Sequence, residues 1–567
     1  MPSPLSRRAF IKKSALFTGA AASLPLLPGL AQDASPSASP VAHPLPPTPI
    51  PIDAPPGFGV ADGPFQPTFE SLAAGFHVPD WFRDAKFGIW AHWGPQSQPE
   101  QGDWYAKNMY KYGHEVYKFH VQKYGHPSKF GFKDVIHTWH AEEWEPEHLI
   151  KLYKRAGAKY FATMAHHHDN FDNFNSKYQP WNSTAVGPKR DIVGGWAKAA
   201  RAAGLRLAIT SHGDRAWSWY QEAQGSDPTG PLAGVTYDGI TSRDSGKDLW
   251  WQGLDPQDLY AQYHTVGHYD WPQNGNPPLA RPFIDKFFHR IVDVIDKYQP
   301  DLLYFDDSVL PIYPVSDIGP RIAAYLYNTN YKRNGKLEAI VTGKDLHPDQ
   351  RRAILLDVER GVTNDIEAIP WQTDTCIGSW HYKRALFDNH QYKTAKQVSQ
   401  MLVDIVSKNG NLQLNIPLPG RGVPDSDELA FLSDFTAWMD INSDGIYATR
   451  PWKIYGEGPS VTSTPPPGHF GRTRDVRPYT ADDIRFTTKG DTLYAFIMDW
   501  PASGATVIKS LATTSPQLDG RKVAHVSLLG HDGKIAWTQD PQGLNITLPS
   551  HPPCPSAITF KIKGLLS

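Results

Sequence analysis

The 567-residue chain is poor in cysteine, holding only Cys376 and Cys554. No Cys-x-x-Cys pair occurs, which excludes a thiolate zinc site or a dithiol redox motif. The count allows one disulfide, and the spacing does not decide it. No uninterrupted apolar run approaches the roughly 20 residues that cross a bilayer. Neither sign of charge is in excess: 56 basic residues stand against 58 acidic ones, a net charge of −2. Nothing electrostatic therefore calls for nucleic acid or an acidic membrane as a partner. No period of 20–50 residues repeats, which disfavours solenoids and propellers. The length itself is too great for one core, so two folded domains with appendages are expected.

Tryptophan, by contrast, is plentiful, at 19 residues. Aromatic faces stack on the C–H faces of sugars, although large domains also bury such rings for packing alone. At the N-terminus, Ser6-Arg7-Arg8-Ala9-Phe10-Ile11-Lys12-Lys13 matches a twin-arginine export signal. A short, Pro-broken apolar stretch, Ser14 to Leu30, follows, and cleavage after Ala31 suits a small-residue peptidase site. Residues 1–31 are thus expected to be a signal peptide of a bacterial protein exported to the periplasm or beyond. Residues 32–70 are rich in Pro and Ser and read as an extended tether.

Over 71–445 helical patterns alternate with short apolar strands. Pro146 opens one helix, Leu149, Tyr153 and Ala156 give its apolar stripe, and Gly157 stops it. A second places Ile284, Phe288, Ile291 and Ile295 on one face and leads through Pro300 into Leu302. A third carries Val398, Leu402 and Ile405, ends at Asn409-Gly410, and meets Leu412, Leu414 and Ile416. Helix, short loop and buried strand in succession predict an α/β fold, a (β/α)8-like barrel. The Gly-, Pro- and Trp-rich stretch 220–280 reads as an inserted rim loop. After 445 the pattern changes to short β-rich runs such as Asp483–Thr487 and Thr492–Met498, separated by turn residues. Residues 446–567 are expected to form an antiparallel β-sandwich.

Four of the strand-like runs end in polar residues of catalytic type. Phe87–Ala91 leads into His92, Tyr160–Ala165 into His166-His167-His168-Asp169, Leu207–Ser211 into His212, and Leu302–Phe305 into Asp306-Asp307. Active sites of β/α barrels lie at the C-terminal rim of the strands. Strand alternation sends Asp306 and Asp307 to opposite faces, so only one can enter the barrel mouth, and parity does not say which. Both could instead cap the next helix. The histidines could ligate a metal or could bind substrate hydroxyls as neutral groups.

The segments resemble the α-L-fucosidases of glycoside hydrolase family 29. Trp81–Gly94 is similar to the family's first strand, and Asp103-Trp104-Tyr105 to its Glu-Trp-Tyr segment with Asp in place of Glu. His167-His168-Asp169-Asn170-Phe171 resembles its His-His-Asp-Gly-Phe strand end. Pro300–Asp306 resembles the nucleophile strand and Ser407–Asn415 a late barrel signature. The resemblance spans about 75–455. It implies a retaining exo-α-L-fucosidase acting on a fucosylated oligosaccharide without a cofactor or metal, with Asp306 as the nucleophile. A second carboxyl about 5–5.5 Å away would then serve as acid and base. By position that residue is Glu359, with Asp357, Asp365, Glu367 and Asp374 as alternatives; Gln372 stands in the family's Trp-Glu segment and cannot act as an acid. The resemblance assigns His92, Trp104, His167 and His168 to the sugar. His212 and Trp217 occupy the third strand where the family commonly has Tyr-Tyr-Ser. Trp380 resembles another rim segment, and Lys344 stands for an Arg of other members. Two other readings compete: a metal-dependent barrel hydrolase built on the histidines, and a carbohydrate-binding homologue without catalysis. Oligomeric state and the linkage cleaved are not legible.

Overall fold

In the computed structural model, residues 59–261, 281–462 and 478–566 are described. The export segment and most of the Pro/Ser-rich tract lie outside them, as does the end of the 220–280 insertion. Eight parallel strands close into a barrel in chain order. They are β1 (Phe87–Ala91), β2 (Tyr160–His166), β3 (Arg206–Ser211), β4 (Leu302–Phe305), β5 (Ile340–Gly343), β6 (Leu355–Glu359), β7 (Trp371–Cys376) and β8 (Gly410–Asn415). Closure is made by β1 on β8, with Phe87 opposite Leu412 and Trp90 opposite Asn415.

Most of these strands read as near-continuous apolar runs because both faces are covered: β2 is buried at all seven positions. Alternate residues divide between two environments. Trp90, Tyr160, Ala162, Ala208, Leu302, Tyr304, Ile340 and Leu355 fill the barrel. Leu303 and Phe305 face outward among Ile284, Phe287, Phe288 and Ile291 of the helix Arg281–Tyr298. Gly88 is required inside, because a Cβ there would meet the Tyr160 ring at 2.4 Å.

The expected helices form where the end signals place them. Pro146–Arg155 begins with Pro in its first turn and is followed by Gly157 at φ +105°. The helix Ala395–Ser407 opens on a reciprocal cap, the Thr394 amide donating to Gln397 Oε1 at 2.8 Å and the Gln397 amide to Thr394 Oγ1 at 3.2 Å. Asn409, at φ +72°, turns the chain into β8. Among its described residues the insertion holds short helical turns, including Gln221–Gln224, Asp238–Ile240 and Pro256–Tyr260.

The C-terminal part forms two antiparallel sheets. One has the order β13 (His525–Leu528), β16 (Ile558–Lys563), β11 (Thr492–Ile497), β10 (Ile484–Lys489), β9 (Arg450–Glu457); the other is β12 (Ala505–Ile508), β15 (Gly543–Thr547), β14 (Ala536–Asp540). Ile508, Leu544 and Ile546 of the smaller sheet share one apolar cluster with Phe486, Phe496, Phe560 and Ile562 of the larger. The barrel helix Ala395–Ser407 meets this part through Asp404, whose carboxylate accepts from Arg485 Nε at 2.6 Å and Lys408 Nζ at 2.8 Å. Cys376 and Cys554 are buried free thiols. Among the described residues no helix is long and apolar enough to cross a membrane.

Candidate active site

The C-terminal ends of the strands surround a pocket of about 300 Å³ lined by Trp90, His92, Asp103, Trp104, His167, His168, His212, Arg215, Tyr304, Asp306, Lys344, Glu359, Arg360, Asp374 and Trp380. The parity of β4 is decided by its packing. Leu302 and Tyr304 lie inside the barrel, so Asp306, next on that face, enters the pocket. Asp307 continues the outward face and is buried beside Arg215, with Nε 3.6 Å from its Oδ1. Burial and the neighbouring Asp214 carboxyl push Asp307 well above the ordinary carboxylate range.

Lys344, carried past the end of β5, organises the floor. Its backbone is fixed by donation of its amide to the Asp307 carbonyl at 3.0 Å and by acceptance from the Val309 amide at 2.8 Å. Its ammonium donates to Asp306 Oδ1 at 2.6 Å and to Glu359 Oε2 at 2.8 Å. Those two oxygens therefore lie no farther apart than the two lengths combined, 5.4 Å. Glu359 is the last residue of β6, and Asp374 of β7 pairs with it across the strands. Tyr304 donates its hydroxyl to Asp374 Oδ2 at 2.7 Å, tying the inner face of β4 to β7.

One cation thus serves several carboxyls, and their proton affinities separate. Burial alone would raise Asp306, but Lys344, Arg215 and His168 overcome it and hold the carboxyl below its usual range. Glu359 moves the other way: burial raises it, Lys344 opposes, and the Asp306 and Asp374 charges raise it further. Lys344 is disfavoured as a cation by burial, yet Asp306 and Glu359 lift it well above the usual lysine range. Two neighbouring carboxyls pushed apart in this way are suited to be one nucleophile and one acid.

The opposite wall is imidazole. His168 donates Nδ1–H to the His212 carbonyl at 2.7 Å, which points Nε2 at Asp306 Oδ2, 3.7 Å away. Burial and then Arg215 pull His168 down to about 4, so Nε2 is an acceptor at neutral pH. His167 Nδ1 pairs with Gln96 Nε2 at 2.9 Å. The His92 amide donates to Asn415 Oδ1 at 2.8 Å, linking the ends of β1 and β8. His92, His167 and His212 are all held well below the ordinary histidine range, by burial first and then by a neighbouring imidazole, His381 for His92, His168 for His167 and His92 for His212. Neutral imidazoles over a carboxylate form a wall that exchanges hydrogen bonds with hydroxyl groups.

Indole rings complete the cavity. Trp104 is held at φ +61°, ψ 23°, a left-handed backbone that a large side chain rarely adopts, and it stands edge-on to His168 at 6.0 Å. Trp380 lies 5.4 Å from Trp90 and under the Arg360 guanidinium at 4.9 Å, and its carbonyl accepts from Asn415 Nδ2 at 2.8 Å.

Of the residues singled out from sequence, Asp306, Glu359, His92, Trp104, His167, His168, His212, Lys344 and Trp380 all line this pocket. Trp217 does not; its ring packs on Phe283 at 5.3 Å. Among the alternatives to Glu359, Asp374 reaches the pocket, whereas Asp357 hydrogen-bonds Gln372 at 3.0 Å in the barrel interior. Arg215 was missed. Its only signal was its place three residues past the His212 strand end, and its guanidinium donates to the Asp306 carbonyl at 3.1 Å. Asp103 was noted only as a departure, and His381 was passed over; they meet at 2.6 Å, Nδ1 to Oδ1.

A family model described as alpha-L-fucosidase matches residues 58–444, and one described as alpha-L-fucosidase C-terminal domain matches 477–563. Tissue alpha-L-fucosidase of Rattus norvegicus is 25% identical over 87% of this chain and 91% of its own length, and that of Homo sapiens is 25% identical over 86% and 89%. The Thermotoga maritima alpha-fucosidase, solved in complex with a mechanism-based inhibitor, aligns at TM-score 0.63 with 24% identity, covering 88% of this chain and all of that one. The chain belongs to the alpha-L-fucosidase family of glycoside hydrolases.

Proposed function

We propose that the protein is a retaining exo-α-L-fucosidase that frees terminal fucose from fucosylated oligosaccharides through a covalent intermediate on Asp306. The observation that carries this reading is the Lys344 ammonium shared by Asp306 and Glu359, which keeps their bonded oxygens within 5.4 Å. That spacing suits a direct carboxylate attack, whereas an inverting pair stands about 6.5–9.5 Å apart to admit a water.

In the first step Asp306 Oδ2 bonds to the anomeric carbon as the glycosidic C–O bond breaks. Glu359 gives its proton to the departing oxygen. Esterification removes the Asp306 charge, one of the groups that raises Glu359. The freshly ionised Glu359 is then a stable carboxylate, ready to take a proton from water. That water attacks the same carbon, the ester bond breaks, and fucose leaves with its anomeric configuration retained. His92, His167, His168 and His212 bind ring hydroxyls, and Trp104 and Trp380 cover the apolar face. Export rests on the twin-arginine segment at Ser6–Lys13.

Turnover of an aryl α-L-fucoside by the full chain, with and without EDTA, tests the reading against its two competitors. Hydrolysis in EDTA excludes an obligatory metal, and any hydrolysis excludes a purely binding protein. Asp306→Gly should lose activity that external azide partly restores as a fucosyl azide. Wild-type rates in that variant would end the assignment.

A further inference from the structure

Within the imidazole wall of the same pocket lies a group of residues whose chemistry is different. One nitrogen each from His92, His167 and His381 and one oxygen of Asp103 lie within 4.8 Å of one another. Both ring nitrogens of His92 are buried and lack a hydrogen-bond partner, and so does Nε2 of His381. A buried polar nitrogen without a partner is costly, so the His92 ring, which lines the pocket, is open to something that enters it, and the His381 ring adjoins it at 4.6 Å.

We propose that His92, His167, His381 and Asp103 form a site for a divalent transition cation of the zinc class, and that this cation and the sugar exclude each other from the pocket. Three imidazoles and one carboxylate are a donor set for zinc, cobalt or nickel rather than for magnesium or calcium, which take oxygen ligands. Ligand atoms around a tetrahedral zinc with bonds of about 2.0–2.1 Å stand roughly 3.4 Å apart. The four atoms now lie within 4.8 Å of one another, so the group tightens to hold the ion. One supporting contact is already in place: Gln96 holds Nδ1 of His167 at 2.9 Å, which aims the other nitrogen of that ring away from Gln96. Asp103 Oδ1 and His381 Nδ1, on two of the proposed ligands, are 2.6 Å apart and converge on the same place. The His92 and His167 rings are also the ones assigned to the sugar hydroxyls, so one pair of side chains cannot serve both ligands. The exclusion, unlike the cation site itself, rests on the fucosidase reading.

Calorimetric titration of the chelator-treated full chain with zinc chloride tests the site, with the visible spectrum of the cobalt(II) form as a second readout. One cation per chain is expected, with tetrahedral cobalt bands, and affinity should fall about tenfold or more in His381→Phe and in Asp103→Asn. Saturating L-fucose should weaken zinc binding, and zinc should inhibit aryl fucoside hydrolysis competitively. Circular dichroism and melting of each variant separate a lost site from a lost fold, with His381→Gln as the milder change. Absence of tight zinc uptake, or uptake indifferent to both substitutions, overturns the site. Uptake indifferent to fucose, or hydrolysis that requires zinc, overturns the exclusion. Zinc uptake without any hydrolysis would sink the fucosidase reading and leave the cation site standing; hydrolysis without zinc uptake would do the reverse.

Discussion

Two buried ion networks in this molecule use the same side-chain types in opposite proportions. At the junction of barrel and C-terminal sheets, one carboxylate, Asp404, receives two cations, Lys408 and Arg485, and all three are almost fully buried. Both of its oxygens are engaged, and Arg485 also donates to Ser460 Oγ at 2.6 Å. At the barrel mouth, one cation, Lys344, is divided between two carboxylates, and Asp306 keeps 15% of its side chain exposed to the pocket. The first network is saturated and can only hold parts together. In the second the shared Lys344 is joined by Arg215 and His168 in lowering Asp306, whereas burial and the Asp306 and Asp374 charges raise Glu359, so the two carboxyls differ in proton affinity. A buried charge with its full complement of partners is structural; one left incomplete beside a cavity is available to a substrate.

Substitutions should break the two networks in different ways. The largest effect is expected for Asp306→Asn, which should cost about 10³-fold or more in kcat/KM. It should alter the unfolding free energy by no more than about 1–2 kcal/mol, since Lys344 retains Glu359. Steady-state kinetics and urea unfolding on one preparation would show the split, and a parallel loss of both would erase the contrast. Asp404→Ala should do the converse, lowering stability by about 3–5 kcal/mol because Lys408 and Arg485 are left buried without their carboxylate. Activity per folded molecule should stay at the wild-type level, as active-site titration would measure. Glu359→Gln should lose about 10²-fold on oligosaccharides, whose leaving groups need a proton, and far less on aryl fucosides with acidic phenols. Equal losses on both substrates would move the acid role elsewhere, with Asp374 the nearest alternative in the pocket.

Lys344→Met sharpens the comparison at the level of pH. On the proposed mechanism Asp306 attacks as the carboxylate, so kcat/KM should climb as pH rises through its depressed pKa. Glu359 acts there as the protonated acid, so the rate should fall as pH passes its elevated pKa. The ammonium lowers both values. Removing it should carry both limbs of the profile to higher pH, by about one unit or more. A profile that narrows from one side only would show that Lys344 couples to a single carboxyl.

How much of this was legible in the sequence depends on the range of the interaction concerned. The helix Ala395–Ser407 was readable because its cap, its apolar stripe and its terminator Asn409 are all local. Strands β1 to β4 were readable because burial on both faces leaves near-continuous apolar runs, and the change of pattern after 445 marked the antiparallel sheets. Asp306 and Asp307 show the limit. Strand parity leaves them equivalent and the family resemblance pointed to Asp306, but the packing of Leu302 and Tyr304 inside the barrel is what physically separates them. Arg215, Asp103 and His381 carry at most a faint local signal, a place past a strand end or within a motif, since each acquires its role from a partner on another strand or loop. Trp217, chosen for its proximity to His212, packs on Phe283 because a helical turn points successive side chains in different directions.

Chain composition and pattern alone determined the βα alternation, the polar residues at the strand ends and the family to which they point, because these depend on side-chain type and short-range order. Tertiary structure alone decided which carboxylates share a lysine and which imidazoles face each other. Charge coupling falls off over a few ångströms of space, and closing a barrel sets those distances without regard to separation along the chain.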